Sequence, residues 1–142
     1  MIANQYFFLY TKICICLLGY EDVHIQKLDE EFEHGLVVVK HMGIDGFICA
    51  NGFDNKDAQV ICREAKADYV GGVSYNSYDF HLSITSRIHW LNNLDCNGDE
   101  SYLNRCNRLD WNNMTNCNPH EQAAVFCYRH TGLLLISYKN HI

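Results

Sequence analysis

Eight cysteines are the residues of this chain best suited to chemistry, either as zinc ligands or as disulfide partners. They are Cys14, Cys16, Cys49, Cys62, Cys96, Cys106, Cys117 and Cys127. Zinc-binding cysteines usually come in pairs separated by roughly two to four residues. Here a single isoleucine separates Cys14 from Cys16, and the other six cysteines are each at least ten positions apart. This spacing favours disulfides, which form in exported proteins, and it leaves their pairing open.

The sequence carries none of the common catalytic motifs. It has no GxSxG, no HExxH and no glycine-rich phosphate loop, and its eight histidines are scattered along the chain. We therefore predict that the chain is not an enzyme. Because aromatic side chains bury large areas, we expect Trp90 and Trp111 to be packing residues.

Length and charge restrict the class of protein further. The 142 residues suffice for one domain, and with 48% of them hydrophobic that domain can bury a sizeable core. The formal net charge of −6 argues against a nucleic-acid partner, which requires a basic surface. It is compatible with cationic partners.

The two ends of the chain differ in composition from its middle. Residues 1–20 are apolar and aromatic, and the run after Lys12 has the length of a signal-peptide core but is too short to span a bilayer. We predict a cleaved signal peptide, with Gly19 near the cleavage point. An uncleaved anchor or a truncated start are the alternatives. Residues 129–142 are predicted to be a short tail, so membrane attachment would need the N-terminal segment or parent regions outside this chain.

Residues 24–128 are predicted to form one domain with several strands. β-Branched and aromatic residues indicate strands at 36–41, 47–50, 86–91 and 123–128. We expect loops rich in Tyr, Ser and Asn after Gly71 and Gly72, a composition suited to adaptable protein contacts. A short helical turn is predicted at 101–105.

One helix interrupts these strands. Asp54 is a favourable N-cap, and the apolar residues Ala58, Ile61, Cys62 and Ala65 then recur at helical spacing. The fold class predicted from these elements is α+β.

Taken in order, these residues resemble the scavenger receptor cysteine-rich (SRCR) family. The matching segments before the middle of the chain are Gly35-Leu-Val-Val-Val39, Gly46-Phe-Ile-Cys49, Gly52-Phe-Asp54, Asp57-Ala-Gln-Val60 and Cys62-Arg63. Those after it are Ile88-His-Trp-Leu91, Leu94-Asp-Cys96, Gly98-Asp-Glu-Ser-Tyr-Leu103, Cys106, Trp111, Cys117, His120-Glu121, Ala123 and Val125-Phe-Cys127. The resemblance implies a curved antiparallel sheet cradling one main helix.

The resemblance also implies which cysteines are joined. Cysteine is missing at 33–35 and at 65–68, where the family's eight-cysteine form has it, so the chain resembles the six-cysteine form. The disulfides implied are Cys49–Cys117, Cys62–Cys127 and Cys96–Cys106.

Many members of this family bind ligands through calcium held by two aspartates and a glutamate. The matching positions are Ala50, Asn51 and Glu121, so only one carboxylate remains. Because calcium requires several oxygen ligands, we expect no calcium and no other cofactor.

A second acidic group contains Asp95, Asp99 and Glu100, beside Asn92 and Asn93. It is interpreted either as a site for a cation or basic ligand, or as a solvated loop in which Asp99 or Glu100 caps a helical turn. Asp95, Asp99, Glu100 and Glu121 are therefore the predicted ligand-binding residues.

Asn113-Met-Thr115 is an N-glycosylation sequon, usable if the chain enters the secretory pathway. The resemblance implies an extracellular module that recognises a protein or microbial-surface ligand, secreted or at the cell surface. The alternative is a non-catalytic accessory domain of a larger secreted protease or oxidase. A third interpretation is a degenerate fragment without function.

Overall fold

Strand β2 is the centre of a six-stranded sheet in the computed structural model, which describes residues 20–27, 33–80, 88–108 and 110–129. The strands are β1 Tyr20–Lys27, β2 His34–His41, β3 Ile44–Ile48, β4 Gly71–Asn76, β5 His89–Leu91 and β6 Ala123–Tyr128. One edge of β2 pairs with β1, and its other partners are β6 near its start and β3 near its end. The strand order is β4-β6-β2-β3-β5, with β1 joined to β2 off this path.

The predicted α+β class is confirmed, with one parallel pair that the prediction of an antiparallel sheet did not include. Every described strand pair is antiparallel except β3 with β5. Parallel strands need a long crossover connection. The segment between β3 and β5 provides it, because it contains helix α1, Asn55–Ala65, and strand β4.

Helix α1 begins where the sequence predicts. The Asp54 side chain accepts hydrogen bonds from the backbone N–H groups of Lys56 and Asp57, and the Asp57 side chain accepts one from the Asp54 N–H. This reciprocal capping satisfies donors that a helix start leaves unpaired. At the other end the Lys66 N–H donates to the Cys62 carbonyl.

The core lies between the sheet and α1. From the helix it contains Ala58, Val60, Ile61 and Cys62, which are fully buried. The strands add mostly β-branched residues to this core, namely Val23, Val37, Val39, Ile48 and Val125, together with Leu91. Trp90 and Trp111 pack against this core, partly buried, as expected of packing residues.

Two strands were not predicted. Strand β1 alternates polar and apolar residues from Asp22 to Gln26. It begins at Tyr20, ahead of the predicted domain start at 24. Strand β4 begins at Gly71, where paired glycines indicated a break. These glycines are required by close packing, because a Cβ at Gly72 would overlap the Cys62 sulfur and one at Gly71 would overlap the Tyr128 ring.

Other predicted elements fall partly outside the described residues. The strand predicted at 86–91 is described only as β5, His89–Leu91, and the turn predicted at 101–105 is a 3-10 helix at Leu103–Arg105. The predicted signal peptide, with Cys14 and Cys16, lies outside the described residues except for Tyr20, as does the tail beyond Arg129. Within the described part of the chain, no helix has the length and hydropathy needed to cross a membrane.

Candidate functional site

Three disulfides cross-link the domain: one joins the end of β3 to the segment before β6, one joins α1 to β6, and one closes the segment between residues 96 and 106. They are Cys49–Cys117, Cys62–Cys127 and Cys96–Cys106, with Cα–Cα distances of 5.9, 5.6 and 4.6 Å. These are the pairs that the family resemblance implies. The carboxylate of Glu100 lies close to the sulfurs of Cys96 and Cys106. Because those sulfurs are bonded to each other, they offer no thiolate to a metal.

The acidic segment 95–100 is arranged as a loop that caps itself. The Glu100 carboxylate accepts hydrogen bonds from the backbone N–H groups of Asn97, at 2.6 Å, and Gly98, at 3.0 Å. These bonds, the one from Asn97 first, lower the pKa of Glu100. The Arg63 guanidinium donates to the carbonyl oxygens of Gly98 and Glu100, which ties the loop to α1.

The other two acidic residues of this segment are exposed. Asp95 makes a backbone hydrogen bond from its N–H to the Asn107 carbonyl, and its side chain faces solvent, as does that of Asp99. Glu100 closes its own loop and does not cap the helical turn, because Tyr102 is the N-cap of the 3-10 helix and the Leu103 N–H donates to the Glu64 carboxylate. Asp95 and Asp99 are exposed and remain available to a partner.

The positions that match the family's calcium ligands are brought together without a set of calcium ligands. The Ala50 N–H donates to the Glu121 carbonyl at 3.1 Å, and the Asn51 Nδ2 donates to the Asn93 Oδ1 at 2.8 Å. Ala50 has no side-chain oxygen, and the Asn93 oxygen already accepts the Asn51 amide. With the Glu121 carboxylate as the one remaining charge, these residues do not fit calcium.

A buried polar network joins Ser77 to His89 through Gln122. The Ser77 Oγ donates to the Gln122 Oε1 and accepts from the Gln122 N–H. The Gln122 Nε2 donates to the Pro119 carbonyl and lies 3.4 Å from the His89 Nε2. Because Gln122 lies between Ser77 and His89, this pair does not make the direct serine–histidine contact of a hydrolase.

Trp111 is packed against the His41 ring and the Arg108 guanidinium. The His41 ring stacks on one face at 4.0 Å between centroids, and the Arg108 guanidinium lies over the ring at 4.6 Å. His41 also meets Trp90 edge-on at 4.7 Å. The Trp90 Nε1 donates to the Ile44 carbonyl. These contacts assign the two tryptophans to packing.

An open groove of about 440 Å³ lies on the sheet. We call it the sheet groove, and its lining side chains include His24, Gln26, Val38, Asp45, Phe47 and Ile88. The sequence did not predict that these residues share a site, because β1, which contributes His24 and Gln26, was not predicted. The alternation of Asp22, His24 and Gln26 was the available signal, since it places all three side chains on one face of a strand.

The sequon lies in a turn of the 110–120 segment. The Asn113 Oδ1 accepts hydrogen bonds from the Thr115 N–H and hydroxyl, at 3.2 and 2.7 Å. The buried Asn92 side chain donates to the Thr115 carbonyl at 2.6 Å. Asn113 itself is half-buried.

Comparisons with known proteins agree with this framework. The family model of the scavenger receptor cysteine-rich domain matches residues 29–128. The crystal structure of the dimeric form of the SRCR domain of mouse MARCO is similar, with 32% identity and a TM-score of 0.59 over 72% of this chain and 93% of that one. The third SRCR domain of murine neurotrypsin is 28% identical, with a TM-score of 0.59 over 77% of this chain and 96% of that one. The chain therefore belongs to the scavenger receptor cysteine-rich family, whose domains are extracellular recognition modules and are generally non-catalytic.

Proposed function

We propose that this domain recognises a protein partner outside the cell, in the manner of a scavenger-type receptor, and that it does so without calcium. The observation that carries the proposal is the family framework closed by three disulfides. Such a framework presents loops and a sheet face on a rigid body, which lowers the conformational entropy lost on binding.

The charge of the chain supports a protein partner over a polyanion. Because the chain has a net charge of −6, it repels nucleic acids and anionic polysaccharides, which are also negatively charged. The hydrogen bond between Asn51 and Asn93 supports independence from calcium, because Asn51 places a neutral amide where the family resemblance implies a carboxylate ligand, and that amide is already bonded to Asn93.

Export is part of the same proposal. We expect residues 1–20 to act as a signal peptide and Asn113 to carry a glycan, since Asn112 and Thr115 on either side of the half-buried Asn113 are exposed. Digestion of the secreted chain with an N-glycosidase then lowers its mass, and Asn113→Gln abolishes the difference.

A second candidate function is that of an accessory domain in a longer secreted protein. The similarity to the third SRCR domain of murine neurotrypsin favours it, because that domain is itself one part of a longer protein. Recovery of the full transcript separates the two: a downstream catalytic domain supports the second, and further SRCR repeats or a stop codon support the first.

The direct test is a binding screen of the secreted domain against extracellular proteins, with calcium and with a chelator, at low and high salt. We expect at least one protein to bind equally well with the chelator. Binding that needs calcium, or binding to polyanions alone, contradicts the proposal. Reduced and unfolded domain is the control for nonspecific adsorption.

A further inference from the structure

The sheet groove crosses three neighbouring strands and has an apolar floor. His24, Val38 and Phe47 lie directly opposite one another on β1, β2 and β3, so their side chains share one face of the sheet. Val38 is buried and Phe47 half-buried. Ile88, which is 43% exposed, adds an apolar wall beside Phe47.

One side of the groove is polar and carries more negative than positive charge. Asp22, Lys40 and Asp45 form the next row of opposed residues on the same face, which places two carboxylates against one ammonium group. The carboxylates are well exposed, and Asp22 is 61% exposed at its side chain. Exposed carboxylates beside an apolar floor complement a ligand that joins an apolar side chain to a cation.

The dimensions of the groove suit an extended peptide. Its volume of about 440 Å³ is within the usual size of a binding pocket, roughly 300–1,000 Å³, but it is open to solvent along its length. Such a groove accommodates one or two side chains of a longer segment. A second copy of this chain is a poor occupant, because two chains of net charge −6 repel each other.

We propose that the sheet groove is a recognition site for an extended segment of a protein partner in which an apolar side chain lies next to a lysine or arginine. The apolar side chain packs on Phe47 and Ile88, and the cation pairs with Asp45. This inference rests on the proposed function and names the surface and the ligand chemistry that would perform it.

Short synthetic peptides test the proposal by fluorescence anisotropy with the full secreted chain. The probe alternates lysine and leucine, and the two control peptides alternate glutamate with leucine and lysine with serine. We expect the lysine–leucine peptide to bind about tenfold or more tightly than either control, because each control lacks one of the two contacts. Its affinity should fall at high salt, which screens exposed charges.

Substitutions locate the binding. Ile88→Glu and Asp45→Lys should each weaken binding of the lysine–leucine peptide about tenfold. The first substitution removes the apolar wall, and the second reverses the charge that pairs with the lysine. Val70→Glu and Asp110→Lys make the same chemical changes at exposed positions outside the groove and should leave affinity unchanged. Circular dichroism and melting curves verify that all four variants fold.

Equal binding of the three peptides, or equal affinity of all four variants, overturns the groove proposal. The protein screen is then repeated with Asp45→Lys. If a protein partner binds this variant as tightly as the original chain, the groove proposal is wrong, but the proposal of extracellular recognition is still supported. If the original chain binds neither peptide nor protein, both proposals fail.

Discussion

The Asp57 side chain connects the start of α1 to the loop that follows β5. Its carboxylate is fully buried and accepts hydrogen bonds from the backbone N–H groups of Asp54 and Cys96, each at 2.8 Å. Burial, which disfavours the charged form, raises the pKa of Asp57 to about 6 despite these two bonds. The residue therefore has a structural role beyond its contribution to the helix dipole.

Replacement of Asp57 by alanine should lower the free energy of unfolding by about 2–3 kcal/mol, because the buried Cys96 N–H and the partly buried Asp54 N–H lose their acceptor. The native state binds a proton more tightly than the unfolded chain, whose Asp57 pKa is 3.8. This group therefore stabilises the fold increasingly as the pH falls from about 7 towards 4. Urea unfolding of both proteins should show their difference widening over that range. A constant or shrinking difference would contradict the assignment.

Gly72 is the second residue with a specific structural requirement. A Cβ there would overlap the Cys62 sulfur and crowd the Ala58 carbonyl. Gly72→Ala should therefore cost about 2–3 kcal/mol of stability, the range of overpacked cores. Gly43→Ala is the matched control, since a Cβ there meets nothing within 4 Å and only the φ of +76° opposes it, at about 1 kcal/mol. Equal melting temperatures for the two variants would show that the close approach is unimportant.

At the scale of elements, a polar clamp joins the ends of three segments around Glu33. The Tyr69 hydroxyl donates to the Glu33 carboxylate, and Arg129 and Lys27 pair with it at 2.7 and 3.1 Å. Arg129 also pairs with Asp68. Glu33 lies in one of the two regions, 33–35 and 65–68, where the resemblance implies the additional cysteines of the eight-cysteine form, and Tyr69 directly follows the other. Polar contacts therefore connect these two parts of the chain.

Glu33→Gln should lower stability by about 1–2 kcal/mol at neutral pH, less than for a fully buried pair because the partners are partly exposed. The Tyr69 hydrogen bond, followed by Lys27 and Arg129, lowers the pKa of Glu33 below 4.5. The contribution of Glu33 is therefore present above that value and is lost as the pH falls through the folded pKa. A double-mutant cycle with Tyr69→Phe should show coupling between the two side chains. Strict additivity would refute the clamp.

The elements that the sequence predicted correctly are those with a local signal. Helix α1 has a capping residue and an apolar period, and β2 and β6 are runs of β-branched or small apolar residues. Strands β1 and β4 lack such a signal. Three of the eight residues of β1 are charged, and the strand is held by pairing with β2. Strand β4 begins with two glycines, at positions where a Cβ would overlap Cys62 and Tyr128. Both strands form because of contacts between residues that are distant in the sequence, and local propensity does not predict such contacts.

The site was predictable to a similar degree. Cysteine spacing favoured disulfides, the family resemblance implied their pairs, and the missing carboxylates at Ala50 and Asn51 were visible in the sequence. The Asn51–Asn93 hydrogen bond and the sheet groove were not, because each depends on side chains from separate strands or loops meeting in space.

For the whole molecule, the proposed independence from calcium rests on positions 50 and 51, where Ala50 and Asn51 carry no carboxylate. The double substitution Ala50→Asp and Asn51→Asp restores two carboxylates near Glu121 and removes the amide pair. Millimolar calcium should then raise the melting temperature by several degrees, since about 1 kcal/mol of linked binding corresponds to about 4–8 °C in a domain of this size. The original chain should show no comparable shift. A large shift in the original chain would contradict the proposed mode of recognition.

Three disulfides, formed outside the reducing cytosol, stabilise the fold of this recognition domain. Mass-spectrometric mapping of the folded chain recovered from culture medium, alkylated without reduction, tests this claim most directly. We expect disulfide-linked peptides that join Cys49 to Cys117, Cys62 to Cys127 and Cys96 to Cys106, with none of the six cysteines alkylated. A well-folded protein in which these six thiols are free, or bind a metal, would contradict it.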